Sequence, residues 1–557
     1  MLVPPETIVR TSAAEQRVAR IVAYYRRRRG ADPLATCLGL AEGNMPDKLA
    51  KDFRELEPAW ADHAIASVYA TLMSENRRKA LGAFFTPPML VQHLLARTKY
   101  FGVDLATQRV RDPAAGGAAF LVPVAREMVR IWRQEGASDT QVIKLLKQRL
   151  IGRELDPGLA RLANELLRRC LIEEHGLARR LVQNLALIAE GDSLAAGADD
   201  LSGTDHEIGN PPFLRLPARY APPEAARFAD ISAGRLNLYA IFVRRGLAAL
   251  PPGGLLAYVL PASFLGGPEF ARFRLRVRQM AEVLAVDIIE PRKSVFLNVV
   301  QDTCVLVLRK RVHEVEAPGA SEAATQMVRG DGTALTMGTT RLPAGDAPWV
   351  LPGTEAILPC TLADWGYVAR VGYLVANRQA DRLHTRYAKG RVPLVWAKAI
   401  TQDGAFDFEK GARSKGLGWV EVPAAAPYVI RTGCVAVQRT SARGQRRRIA
   451  AAEVPASFVH KNGGVVAENH VILLLPTSDK AASPAALVEA LNRTEVGAQL
   501  DRMCGSASIP ARLLERLPLP APPQALPTSD THTHLPERSS IRGYPWKVAR
   551  KLATKET

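Results

Sequence analysis

Apolar positions recur at helical spacing early in the chain, through Ile21, Val22, Tyr24 and Tyr25 and again from His63 to Ala70. Residues 1–80 are therefore expected to be helical. From 81 to 312 the pattern changes: short apolar runs alternate with amphipathic stretches, as in VRDPAAGGAAFLVPVAREMV, LIGRELDPGLARLANELLRR and LLAYVLPASFL. Strands alternating with helices predict an α/β fold, a doubly wound mixed sheet with helices on both faces. The stretch 313–345, containing EAPGASEAATQMVRGDGTALTMG, is poor in large apolar residues and reads as a linker. Periodic segments resume near Trp349, and 346–520 is expected to form a separate C-terminal α+β domain. The last stretch, 521–557, is rich in Pro, Ser and Thr and reads as a disordered tail.

At 557 residues the chain is too long for one ordinary core, which agrees with two or three domains. The nearly apolar run Leu255–Leu265 falls far short of the roughly 20 residues that cross a bilayer. The start, MLVPPETIVR, lacks a basic segment followed by an apolar one, so neither secretion nor a membrane partner is expected. Six scattered cysteines, without a C-x-x-C pair, suit the reduced thiols of a cytoplasmic protein and call for no metal. Charge changes the picture more. A net +19 favours a polyanionic partner, because basic surface gains affinity by releasing counterions from phosphates. Arg and Ala are abundant throughout, so charge points to nucleic acid without establishing it.

The strongest chemical signal is Asn210-Pro211-Pro212-Phe213, after Asp205-His206-Glu207-Ile208-Gly209. A rigid Asn-Pro-Pro turn at a strand end fixes a carboxamide and a backbone carbonyl as acceptors beside an aromatic ring. Those groups can hold an exocyclic amine on a flat ring, with its lone pair aimed at a methyl donor. Four letters alone are weak; the surroundings add weight. Asp112-Pro113-Ala114-Ala115-Gly116-Gly117-Ala118-Ala119-Phe120 follows a predicted strand and opens a helix, as a cofactor-binding turn must. Glu154, at the end of a second strand, stands where a ribose diol is bound in such sheets. Asp192 ends a third strand and suits an adenine amine. Singly, each acid is better read as a capping residue. Three in order, at successive strand ends, are harder to explain that way.

With these motifs the chain resembles the γ-order, TaqI-like N6-adenine DNA methyltransferases of restriction–modification systems. The resemblance spans residues 80–310 and includes the order of the motifs. It implies the Rossmann-like fold of S-adenosylmethionine-dependent methyltransferases and S-adenosyl-L-methionine as cofactor. Gly82-Ala83-Phe84-Phe85-Thr86-Pro87-Pro88 is similar to a family segment whose Thr contacts the methionine carboxylate. Asp112, Ala114, Gly116 and Phe120 match the cofactor turn, Glu154 the ribose-binding acid and Asp192 the adenine-binding residue. Asn210, Pro211, Pro212 and Phe213 match the catalytic motif. Phe296 resembles a second aromatic that contacts the flipped base. In this order of motifs the target-recognition domain follows the catalytic one, and the partner is double-stranded DNA. The chain is expected to act as a monomer; a cognate restriction endonuclease, if there is one, would be a separate protein.

Two departures stand out: Ala118 replaces the family's third glycine in the turn, and Ala115 its usual cysteine. Phe213 replaces the commoner Tyr, which stacking tolerates. In the second domain, Arg439, Arg443, Arg446, Arg447 and Arg448 lie in a stretch without Asp or Glu and are candidates for phosphate contacts. For any single one, a solvated loop is the blander reading. Pro359-Cys360 looks like a cytosine-C5 nucleophile motif but lies outside the catalytic segment, so Cys360 is read as structural. Methylases of RNA guanine and of protein glutamine share the Asn-Pro-Pro-aromatic motif and remain alternatives. So does a non-catalytic DNA-binding subunit of a host-defence complex, which Ala118 alone favours.

Overall fold

The computed structural model describes residues 12–523, except 29, 82–85, 196–202, 217–226, 233–235, 291–301, 354–357, 424–425, 442–446 and 505–507. All but the first three residues of the expected tail lie outside them. Nine strands form one mixed sheet: β1 Val110–Asp112, β2 Leu150–Glu154, β3 Ile188–Glu190, β4 His206–Gly209, β5 Leu255–Pro261, β6 Ala281–Ile289, β7 Thr303–Lys310, β8 Ser321–Val328 and β9 Ala334–Leu342. Their spatial order is β3-β2-β1-β4-β5-β7-β6-β8-β9. The first five run parallel; β7 is antiparallel to both β5 and β6.

The apolar run that begins at Leu255 is the central strand β5, buried at every position. Its alternate side chains feed two cores, as the two-residue pleat demands. Leu255, Ala257 and Val259 face the core that includes Leu121, Val129 and Leu166; Leu256, Tyr258 and Leu260 face the one with Tyr239, Leu247 and Phe273. Six helices precede the turn after β1: α1 Ala13–Arg26, α2 Pro33–Ala41, α3 Asp47–Arg54, α4 Pro58–Leu72, α5 Glu75–Leu81 and α6 Pro88–Tyr100. The N-terminal segment is thus helical over most of its described residues. Ile21 and Val22 of α1 and Ile65 and Val68 of α4 nevertheless join the core of the sheet, so these helices pack as part of its layers. Buried Asp287 on β6 binds α6 from below, through Arg97 at 2.8 Å and His93 at 2.9 Å.

The segment 313–345 is not a linker. Residues Ser321–Val328 and Ala334–Leu342 are β8 and β9; β8 runs parallel to β6, and β9 closes the edge antiparallel to β8. Their small and polar side chains suit an edge ribbon with one wet face, and β9 is exposed at its first six positions. Trp349 also packs into the second core, against Phe264.

Beyond it two four-stranded sheets follow, in the orders β10-β17-β14-β15 and β11-β13-β12-β16. The first holds Tyr367–Val371 (β10), Cys434–Gln438 (β14), Ala451–Val454 (β15) and Val471–Pro476 (β17). The second holds Leu383–His384 (β11), Arg391–Val395 (β12), Trp419–Glu421 (β13) and Val466–Ala467 (β16). No helix among the described residues is long and apolar enough to cross a membrane. The six cysteines, all among the described residues, form no disulfide, and Cys360 is half-buried in a backbone pairing with Leu519.

Candidate active site

The strand order reverses between β1 and β4, and in open α/β sheets ligands sit in the crevice outside the strand ends at such a reversal. Asp112 ends β1; Gly209-Asn210 leaves β4 beside it. The strands beneath are pinned by a buried cluster, in which Arg111 pairs with Glu207 and the Tyr258 hydroxyl donates to the same carboxylate. Gly209 allows the close approach. A Cβ there would lie 2.7 Å from Asp112 Oδ1, so any side chain would push the carboxylate out of place.

Asp112 is buried. Its Oδ1 accepts the backbone N–H of Ala114 at 3.0 Å, and its Oδ2 has no hydrogen-bond partner among the described residues. Burial, more than any neighbour, pushes its pKa up to about 7. A buried carboxylate oxygen left in this state calls for a donor, best a cationic one. Glu154 is buried as well and laces the turn to β2: Oε2 accepts from the Gly116 N–H at 2.8 Å and Oε1 from the Asp156 N–H at 2.9 Å. Desolvation raises its pKa too. Asp192 is exposed at the end of β3; its Oδ1 accepts the Leu194 N–H, while Ser193 Oγ donates to the Pro113 carbonyl at 2.6 Å. The three acids thus stand at the ends of three adjacent strands, tied to one another through the turn. Phe120 is buried as the residue before helix α7 (Leu121–Gln134) and braces the turn from the core side.

The turn contains a residue whose geometry sequence alone did not show. Ala118 has φ +57°, the only positive φ of a non-glycine residue among the described ones, and Gly116 before it has φ +52°. The Ala118 carbonyl accepts the Val122 N–H at 3.0 Å, so the left-handed step aims the chain into α7. The departure from glycine therefore acts through backbone conformation more than through bulk. The family pattern itself was the signal for it.

Across the crevice, Asn210 Nδ2 donates to the hydroxyl of buried Thr86 at 3.0 Å. Phe213, half-buried, stands edge-on to Tyr239 with centroids 6.4 Å apart. The chain after it is held extended, since Leu216 N bonds Leu236 O and Leu238 N bonds Leu214 O, both at 2.7 Å. Asn210, Pro211, Pro212 and Phe213 are thereby brought together with Thr86, Asp112, Ala114, Gly116 and Glu154. Gly82–Phe85 and Phe296 lie outside the described residues, as do Arg443 and Arg446.

One phosphate-contact expectation needs correcting. Arg448 is buried, bonded to Asp501 at 2.7 Å and to the Ser441 carbonyl at 2.6 Å, so its charge is consumed inside the domain. Arg439 is half-buried and donates to the Asn469 carbonyl at 3.0 Å. Arg447 is half-buried beside Gln402.

Residues 61–328 match the family described as N-6 DNA Methylase. The chain is similar to the Type II methyltransferase M.PstI of Providencia stuartii, 24% identical over 288 residues that cover 47% of this chain and 55% of the relative. It is 28% identical to M.PaeR7I of Pseudomonas aeruginosa over 222 residues, 37% and 38% of the two chains. The chain thus spans about half the length of the first relative and less of the second. A solved structure of the Type IIL restriction-modification enzyme MmeI in complex with DNA is similar at a TM-score of 0.50 and 14% identity, over 90% of this chain and 87% of that one. At that identity the likeness concerns fold, and the α/β methyltransferase fold expected from the sequence is the fold observed. The match ends at the last residue of β8, in agreement with β8 belonging to the sheet. Residues 61–328, which build the crevice, thus carry the likeness to the N-6 DNA methylase family.

Proposed function

We propose that this chain is a site-specific DNA adenine-N6 methyltransferase that uses S-adenosylmethionine, and that it serves as the modification component of a restriction–modification system. The observation that carries the proposal is the meeting of Asn210-Pro211-Pro212-Phe213 with Thr86 and the free oxygen of Asp112 at the β1/β4 reversal. The likeness to the two Type II methyltransferases supports it.

The residues fit the cofactor. Asp112 Oδ2 is a buried acceptor suited to an ammonium group, and Glu154 would suit a ribose diol, Asp192 an adenine amine and the Thr86 hydroxyl a carboxylate. When bound, S-adenosylmethionine supplies an electrophilic methyl group on a sulfonium centre. The rest is positioning by this chain. With the Asn210 nitrogen engaged by Thr86, its planar amide turns the oxygen to the other side, as an acceptor for one hydrogen of the adenine amine. The Pro211 carbonyl takes the second, and Phe213 stacks on the base. An amine held in this way would need no strong base beside it, because its proton could pass to solvent once the methyl group has left the sulfonium sulfur for the nitrogen.

Sequencing DNA from cells that express this one chain, by a method that reads N6-methyladenine, tests the proposal. Methylated adenine in a fixed sequence is expected from the wild type and none from Asn210→Ala. Unmodified adenine with the wild type, or methylated cytosine in its place, would refute it.

A further inference from the structure

Many arginines of the catalytic half are already neutralised. Arg126 binds Glu174, Arg130 binds Glu127, Arg168 binds Glu165, and Arg244 and Arg276 share Asp230. The stretch from Tyr367 to Arg391 differs. It carries Arg370, Arg378, Arg382, Arg386, Lys389 and Arg391 against one acid, Asp381. Arg370, Arg378, Arg386 and Lys389 are exposed, and among the described residues their side chains have no ion pair or hydrogen bond.

Aromatic rings stand among these charges. Tyr373, 52% exposed, lies flat on Tyr428 at 3.9 Å with 4° between the planes. Arg382 holds Tyr428 from the side by a hydrogen bond to its hydroxyl at 2.6 Å and by a second to the Glu421 carbonyl at 2.8 Å. Glu421 pairs with Arg391 across β13 and β12, and the neighbouring Trp419 supports Tyr387 edge-on at 5.1 Å. Tyr387 is 65% exposed. The patch is therefore continuous over the sheet β11-β13-β12-β16, whose other residues, Leu383, Val392, Leu394 and Val420, form its core. Against the six cations of this stretch the nearby sequence offers the carboxylates of Asp381 and Glu421, and Glu421 is close to His384 at 3.4 Å.

A fold does not gain stability by leaving two tyrosines and three exposed cations, Arg378, Arg386 and Lys389, in water on one short stretch of chain. Their partner must offer regularly spaced negative charge and flat or apolar surface between the charges. Duplex DNA has both, with phosphates along each strand and sugars and base edges between them. Resting on the reading as a DNA methyltransferase, we propose that this face of the β11-β13-β12-β16 sheet is a main phosphate-contact surface. Arg378, Arg386 and Lys389 neutralise phosphates, while Tyr373 and Tyr387 pack against sugars and base edges.

The test uses the full chain and two labelled duplexes, one with the methylated site and one scrambled, with affinity measured by anisotropy from about 50 to 200 mM salt. The triple variant R378Q/R386Q/K389Q should bind both duplexes more weakly. It should also flatten log K against log salt by up to about 0.9 for each phosphate no longer neutralised. R161Q/R179Q/R180Q removes the same charge from exposed positions elsewhere and should leave the slope near the wild-type value. Tyr373→Ala should weaken binding without changing the slope, because it removes packing and no charge. A triple variant with wild-type slope and affinity, while the wild type binds and methylates DNA, sinks this surface alone. A wild type that binds no duplex but binds an RNA hairpin or polyglutamate sinks the surface and the methyltransferase reading together.

Discussion

Asn210 Nδ2 lies 3.0 Å from Thr86 Oγ1, so the loop after β4 and the residue two before α6 share one hydrogen bond at the mouth of the crevice. In the proposed function that bond helps to keep the amide oxygen turned toward the target amine. Thr86→Val should lower kcat by roughly tenfold to a hundredfold, the scale of a small misplacement in a reacting pair, while Thr86→Ser keeps most of it. Steady-state kinetics at saturating cofactor checks this. A Val variant changed only in the KM for cofactor would make Thr86 a binding residue with no part in orientation.

Burial sets the pH behaviour of Asp112, whose pKa is pushed up to about 7. The folded chain therefore holds this proton more tightly than the unfolded chain. Asp112 contributes stability that is complete below the unfolded value of about 4 and is lost as pH rises through about 7. A cationic ligand reverses the preference, because it binds the carboxylate. Cofactor affinity should rise with pH up to about 7, level off, and fall again where an α-amino group loses its charge, near about 8. Calorimetry across that range should show the acid limb in the wild type and not in Asp112→Asn. An identical limb in both would place the titration elsewhere.

Ala118 combines a buried methyl with a left-handed backbone. At an ordinary buried site, Ala→Gly loses about 0.8 kcal/mol of methyl transfer and adds roughly 0.5–1 kcal/mol of unfolded-state freedom. At φ +57° it also relieves roughly 1–2 kcal/mol of left-handed strain, so Ala118→Gly should be near neutral. Ala125→Gly, equally buried inside α7, should show the full loss. Denaturant midpoints compare the two, and equal losses would mean that Ala118 carries no strain. Ala118→Val should be the worst of the three, because a β-branched side chain tolerates this region least.

Phe213 is half-buried and edge-on to Tyr239, and in the proposed function it stacks on the target base. Phe213→Tyr should keep activity, and Phe213→Ala should lose most of it, since stacking a base on an aromatic ring contributes roughly 1–3 kcal/mol. With 2-aminopurine at the target position, the Ala variant at saturating protein should fluoresce more brightly than the wild type, for want of a ring to quench the extruded base. Equal brightness would move the stacking role to another residue.

Much of this protein is determined by local sequence. Two-residue alternation and helical spacing are short-range properties, so the strand–helix order from 110 to 310 and the helices before it follow from the pattern alone. The chemistry-bearing turns are legible for the same reason: Asn-Pro-Pro-Phe and Asp-Pro-Ala-Ala-Gly each set their own backbone. Tertiary structure decided what depends on distant partners. The weakly apolar residues 321–342 become β8 and β9 only because β6 offers an open edge for pairing. Arg448 reads as a surface cation until Asp501, 53 residues away, draws it inward. The aromatic–basic face around Tyr373 is invisible in one dimension, because Tyr428 stands 55 positions from the ring it stacks on. Thr86 and Asn210 meet for the same reason, since only the packing of α6 against the sheet brings a hydroxyl to an amide across 124 residues.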